Sequence, residues 1–365
     1  MDVKVIYEAG GTSQKPRAAR TASAKANENA ITRNRFPRAA LIKRTRRTKI
    51  PHNKFLVRVS ARGNPLAVFT GSTNFTESGF LGQSNVGHST TDKDVAKTYL
   101  DYWNILAQDP KTTAAARDCM ALSPDPEDLE PGTTTCIFSP RSKSQMLEWY
   151  GERVADARNT VMFTAAFSVT DEIAVPLSQD REHLRFVLLE KPPTRKTAAY
   201  FRKDRDIIVS YGNVLGEKYL PNAKGELTLR RDIPDFRLDE WFLEEEHYRR
   251  SGHVFFVHLK LLVIDPLSRS PLVCTGSANF SKASLSSNDE NMLLVQGDTR
   301  VADIYMCEFD RLLRHFYFRR MAAELHGDGN EATAVFLTEN DSWTSDYFRK
   351  NRFKSKRREL LMYEG

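Results

Sequence analysis

His258 and Lys260 stand two residues apart in the run FFVHLKLLVID, and Gly276, Ser277 and Asn279 follow after a short reversal and a second apolar run. Read as strands, these runs put His258 and Lys260 on one face, and Ser277 and Asn279 on one face of the neighbour, because strand side chains alternate. A titratable imidazole, a fixed cation and two hydrogen-bonding groups thus converge on one pocket. That set suits an anionic, oxygen-rich group such as a phosphate better than a metal ion. His52, Lys54, Gly71, Ser72 and Asn74 repeat the pattern in HNKFLVRV and TGSTNFT. One histidine on a strand carries little information; two copies at matched spacing point to a site built from both.

The elements that must position these residues also repeat. VAKTYLDYW matches VADIYMCEF, TGSTNFT matches TGSANFS after a single-residue gap, and VKVIY (Val3 to Tyr7) matches LRFVLL. Helical spacing predicts helices near 27–33 and over 95–108, 145–158, 171–179 and 301–316, with strands at 135–138, TVMFTAAF and LRFVLLE. Pro124, Pro126, Pro131 and Gly132 mark a linker. The expected division is a first repeat over 1–118, a linker over 119–133, a second repeat over 134–325 and a basic extension over 326–365. Two strands and two helices precede LRFVLL in the second half, whereas nothing precedes VKVIY in the first. The first repeat therefore reads as beginning in its middle, as a truncated form or one whose missing elements are dispensable.

Composition adds bounds. With 365 residues the chain is long enough for two domains with sizeable cores. The formal net charge of +7 is uneven: residues 1–62 hold 16 Lys/Arg against Asp2, Glu8 and Glu28, and the remainder holds 38 against 44 acids. Such a basic segment is either a solvated face or an attractor of nucleic acid or an acidic membrane surface. No apolar run approaches the roughly 20 residues of a membrane-spanning helix. The four cysteines are scattered without CxxC pairs or nearby histidines, which argues for free thiols and against zinc. No signal-peptide pattern is visible, and the compartment stays open.

Two HxK strands, each followed by GSxN on a return strand, resemble the phospholipase D superfamily. The second copy carries the fuller signature, with Asp265; the first has Val59 at that position. The resemblance implies an α/β fold of two similar lobes, each a mixed sheet flanked by helices, with the active site at their interface. It also implies phosphodiester cleavage through a phosphohistidine, with no cofactor, no metal and no obligatory protein partner. His52 would attack phosphorus and His258 would protonate the leaving alcohol, roles that suit a side chain whose ordinary pKa is near 6.5. Lys54, Lys260, Asn74 and Asn279 would hold the non-bridging oxygens. Ser72, Ser277 and Arg47 are expected near the substrate, the two serines orienting the loop or neighbouring groups there, and Gly71 and Gly276 belong to the motif. Glu290, by the same resemblance, would reach across to His52; the aligned first-copy residue is Asn85. Asp265 lies an odd number of residues after His258 and faces away from it on a regular strand, which makes it structural and Val59 tolerable.

Three functions compete. A lipid hydrolase acting on phosphatidyl head groups would use the aromatic stretch 195–250 (Tyr200, Phe201, Tyr211, Tyr219, Trp241, Phe242, Tyr248) as an apolar border, unless those residues are core. A nuclease would use Arg44, Arg46, Arg47 and Lys49 with the run Arg349 to Arg358, and its binding would weaken with salt. An anionic bilayer would attract the same charges. A catalytically impaired fragment is the third, since an incomplete lobe exposes a sheet edge. The expected substrate is a phospholipid ahead of DNA or RNA.

Overall fold

The computed structural model describes residues 2–10, 22–45, 49–142, 145–179, 182–212, 219–221, 227–229, 256–327 and 340–362. The first half runs β1 (Val5–Glu8), α1 (Ala22–Arg33), β2 (Leu41–Arg44), β3 (Phe55–Val59), β4 (Pro65–Gly71), α2 (Glu77–Leu81), β5 (Gly87–Thr90), α3 (Lys93–Ala107) and α4 (Thr112–Leu122). The second begins with β6 (Thr133–Ser139), α5 (Gln145–Ala155), β7 (Thr160–Ala165), α6 (Asp171–Leu177), β8 (Leu184–Leu189), α7 (Arg195–Phe201) and β9 (Ile207–Tyr211). A small hairpin, β10 (Tyr219–Pro221) and β11 (Leu227–Leu229), precedes β12 (Leu261–Ile264), β13 (Leu272–Gly276), α8 (Lys282–Ser286), β14 (Glu290–Gln296) and α9 (Thr299–Gly327). The last element is α10 (Phe353–Leu361). Helix α4 extends into the segment expected as linker, so the helix-free connection is confined to residues 124–132.

Seven strands of the second half form one mixed sheet in the order β6-β14-β13-β12-β7-β8-β9, with β7, β8 and β9 parallel. TVMFTA and LRFVLL are apolar nearly throughout because both faces of these parallel strands are covered. Leu261 and Val263 point into a core shared with α3 and α9, while Leu262 and Ile264 point into a second core under α5 and α6.

The first half follows the same plan with one strand position unfilled. β1-α1-β2 is a parallel unit like β8-α7-β9, and β3-β4-β5 is an antiparallel meander like β12-β13-β14. In the second half β7 joins the two units by pairing with β12 on one side and β8 on the other. Among the described residues no strand does this between β3 and β1, so the first half holds two small sheets where one mixed sheet was expected. Among the described residues the face that α5 and α6 cover has no equivalent cover either. Leu56, Phe75 and Phe80 are 59%, 51% and 61% exposed, whereas their aligned partners Leu262, Phe280 and Leu285 are 0%, 4% and 2% exposed. Among the described residues no helix is long and apolar enough to cross a membrane.

Candidate active site

The HxK residues do not lie within the strands: both triplets immediately precede β3 and β12. Their backbones pair instead with the opposite repeat. His52 N–H donates to the Asp289 carbonyl at 2.9 Å and Asp289 N–H to the Ile50 carbonyl at 3.0 Å. The mirror exchange runs from His258 N–H to the Ser84 carbonyl at 3.1 Å and from Ser84 N–H to the Phe256 carbonyl at 2.6 Å. Two short parallel bridges, Pro51 to Asp289 and Ser84 to Val257, therefore swap between repeats and bring the imidazoles together. The ring centroids are 6.3 Å apart, inclined at 73°.

Each histidine is held through Nδ1 by a residue of the other repeat, Glu290 at the start of β14 or Asn85 two residues before β5. His52 Nδ1 meets Glu290 Oε2 at 2.7 Å, and His258 Nδ1 meets Asn85 Oδ1 at 2.9 Å. Glu290 also accepts from Ser277 Oγ at 2.8 Å and from Asn288 Nδ2 at 3.1 Å. Ser72 Oγ plays the same part for Asn85 at 2.8 Å. Ser72 and Ser277, expected beside the substrate, are both fully buried and commit their hydroxyl protons to these acceptors; they position the histidine holders. Gly71 and Gly276 permit this arrangement, since a Cβ on either would fall 2.0 Å from the Val86 carbonyl oxygen or 2.2 Å from that of Asn291. GSxN is followed in each copy by a hydroxyl that caps the next helix: Thr76 accepts from Gly79 N–H, Ser281 from Ser284 N–H.

Lys54 and Lys260 are buried, and each ammonium turns back to the carbonyl of the histidine two residues before it. Burial lowers the Lys54 ammonium to about 8, partly offset by Glu290. Lys260 is pushed well below its ordinary value by burial and by Lys54. Burial also lowers His52, against the pull of Glu290. His258 falls to about 2 through burial and the cations Lys260 and Lys54, with no carboxylate holding it among the described residues. Burial works to raise Glu290, but His52 and Lys54 outweigh it and hold the carboxylate ionised.

Asp265 points away from this centre. Its carboxylate accepts from the amides of Arg158, Asn159 and Thr160 at 2.7–2.9 Å, tying the end of β12 to the start of β7. The described first half has no counterpart of β7, so Val59 leaves no such amides unpaired. Arg44, counted by sequence among phosphate-tracking cations, is 2% exposed. It forks onto Asp289 at 3.0 and 3.2 Å and reaches Asp109 at 3.0 Å, bracing the segment that holds His52. Arg47, Trp241, Phe242 and Tyr248 lie outside the described residues. Phe201 is core, and Tyr200 and Tyr211 pack against that core.

Several supporting residues were invisible to motif reading. Asn53 sits between His52 and Lys54; Asn291 donates to it at 2.7 Å and it donates to Tyr102 Oη at 2.8 Å. Tyr99 and Thr70 hold Asn291 in turn. Glu190 accepts the amides of Phe256 and Val257, fixing the approach to His258. The tyrosines recur at helical spacing, which marks them as core but says nothing of these bonds. Among the described residues no group of acidic, histidine or cysteine side chains could hold a metal ion.

Residues 230–313 match the family described as cardiolipin synthase, phospholipase D-like domain. Curated proteins give no significant match. Among solved structures, NucT from Helicobacter pylori is 16% identical with a TM-score of 0.34, over 50% of this chain and 96% of that one. The phospholipase D family member Nuc from Salmonella typhimurium is 15% identical with a TM-score of 0.31, over 49% and 92%. Phosphatidylserine synthase from Haemophilus influenzae is 14% identical with a TM-score of 0.47, over 86% and 73%.

Proposed function

We propose that this chain, which belongs to the phospholipase D superfamily, is a phosphodiesterase acting by covalent catalysis at His52 with His258 as acid and base. The observation that carries this reading is the pair of imidazoles presented from two repeats, each anchored through Nδ1, with buried lysines behind both. With Nδ1 committed, Nε2 of each ring is the nitrogen left for chemistry. His52 Nε2 attacks phosphorus as the bond to the leaving oxygen breaks, and that oxygen takes its proton from His258 Nε2. Water then attacks the phosphohistidine, gives a proton to His258, and the phosphorus–nitrogen pair returns to His52. Glu290 faces the ring that becomes cationic in the intermediate, which supports assigning attack to His52. Lys54, Lys260, Asn74 and Asn279 are assigned to the non-bridging oxygens; Asn279 keeps a buried side-chain oxygen position without a partner, which supports its share of that role.

For substrate, a phospholipid fits better than a nucleic acid strand. Much of the C-terminal basic run is spent on the protein itself: Lys356 binds Glu182 and Asp206, Arg357 binds Asp310, and Arg358 meets Glu359 and the Tyr347 carbonyl. Arg44 is likewise consumed internally. The nuclease reading retains the charge excess of residues 1–62 in its favour. The test is parallel turnover, in EDTA, of phosphatidylcholine vesicles and single-stranded DNA. Lipid turnover with a phosphate label trapped on His52 supports the proposal. Turnover of DNA alone replaces the substrate, a label on His258 reverses the roles, and a folded sample that cleaves neither of these nor an activated p-nitrophenyl phosphodiester points to an impaired enzyme.

A further inference from the structure

The two histidine holders occupy equivalent places and differ in one respect. Glu290 and Asn85 each accept from an imidazole Nδ1 and from the buried serine of their own GSxN segment. Asn85 Nδ2 donates to the Gly79 carbonyl at 2.8 Å, and Val86 N–H donates to Ser72 Oγ, which leaves the Ser72 proton for Asn85 Oδ1. The carboxamide is therefore oriented with its oxygen toward His258, and Nδ1 carries a hydrogen in either protonation state. What is missing is the negative charge. His258 is surrounded by Lys260, Lys54 and His52, with a Ser72 backbone group and the Asn85 oxygen as its hydrogen-bonding partners. Among the described residues nothing anionic touches the ring that has to donate a proton.

We propose that Asn85 makes the site selective for phosphodiesters whose leaving group departs as a stable anion, phenolic or phosphate-like, over those that must leave as simple alkoxides. This rests on the phosphodiesterase reading above and narrows it. In the first step, the His52–phosphorus bond forms and the bond to the leaving oxygen breaks, its electron pair staying on that oxygen. An alkoxide needs the His258 proton at that moment, and a neutral carboxamide gives the required imidazolium no ionic support. A stabilised anion leaves without it. In the second step, neutral His258 serves as base for water, and Asn85 favours that form. Among lipid diesters this selects head groups attached through an acidic oxygen. Asn85 is thus a positioning residue that sets leaving-group preference, while the chemistry belongs to the histidines.

The experiment uses methyl phosphodiesters of p-nitrophenol, phenol and benzyl alcohol with the full chain and its Asn85→Asp variant. General acids contribute about 10²-fold or more, so kcat/KM of the variant on the benzyl ester is expected to gain at least about 10-fold relative to its kcat/KM on the p-nitrophenyl ester. The dependence of kcat/KM on leaving-group acidity would flatten accordingly. An independent check is His258→Gln, expected to release one equivalent of p-nitrophenolate in a burst and nothing from the benzyl ester. Parallel leaving-group dependences for the chain and Asn85→Asp overturn the proposal, as does loss of the burst in His258→Gln. Failure of the unmodified chain to cleave any of the three esters removes the phosphodiesterase reading itself.

Discussion

Replacing Glu290 by glutamine isolates the contribution of its charge to the reaction. The carboxylate is fully buried and accepts from His52 at 2.7 Å, Ser277 at 2.8 Å and Asn288 at 3.1 Å. Glutamine keeps the shape and one acceptor oxygen, which can still face His52 and Ser277. Its amide would oppose the Asn288 amide, but Asn288 has a buried oxygen without a partner, so a flip of that side chain restores the contact. Folding is therefore expected to survive. Hydrogen bonds to charged groups contribute about 1.5–3 kcal/mol against about 0.5–1.5 for neutral ones. The difference, about 1–2 kcal/mol, corresponds to about 5- to 30-fold. The loss falls on kcat, because the full positive charge on His52 exists only once Nε2 is bonded to phosphorus. Rapid-quench kinetics with a p-nitrophenyl phosphodiester would show a slower burst and less trapped phosphohistidine at unchanged KM. An unchanged kcat in a variant with native circular dichroism would refute the assignment of Glu290 as stabiliser of the nucleophile.

Three further outcomes follow from the same geometry. His52 and His258 are lowered in the folded state, so the unfolded chain binds more protons below about pH 6.5; stability is full above that pH and lost as pH falls toward the folded values, at up to about 1.4 kcal/mol per unit per histidine. Urea midpoints between pH 6.5 and 4.5, above the range where depressed Glu290 protonates, should decline, and less so in His258→Gln; a flat midpoint contradicts this. Arg44→Ala leaves Asp289 buried without its ion pair and is expected to cost about 3–5 kcal/mol in urea unfolding, with activity falling because Asp289 also receives the His52 amide; a stability within 1 kcal/mol of the parent (about the spread of ordinary exposed pairs) would count against it. Leu285→Ala should cost about 2–5 kcal/mol while Phe80→Ala, at the aligned and exposed position, should cost little and reduce self-association; equal losses would mean the first-half face is covered after all.

The doubled motif was readable in the sequence because its residues are local: HxK and GSxN each span four residues or fewer, and their spacing is set by one strand and its return. Helices such as α3 and α5 were readable for the same reason, through the periodicity of Tyr99, Leu106, Leu147 and Val154. The parity argument placed Asp265 away from the histidine even though His258 lies outside the strand. Helix α4 escaped because TTAAARDCMAL has a weak apolar stripe, and strands β2 and β9 because short runs beside charges carry little alternation.

Tertiary structure decided which group holds which. His52 and Glu290 are 238 positions apart, and His258 and Asn85 173 apart; each contact exists only because backbone segments exchange between repeats. Motif spacing carries no trace of that exchange, and only the family resemblance had suggested the first of the two contacts. The same exchange turned Ser72 and Ser277 inward and gave Arg44 a buried partner, since a fully buried hydroxyl or guanidinium must spend its donors on protein groups. The sequence by itself established two copies of one phosphate-suited pattern. Their inequivalence, Glu290 against Asn85, is also written in the sequence; folding decided that the carboxylate stands behind His52 and the neutral amide behind His258.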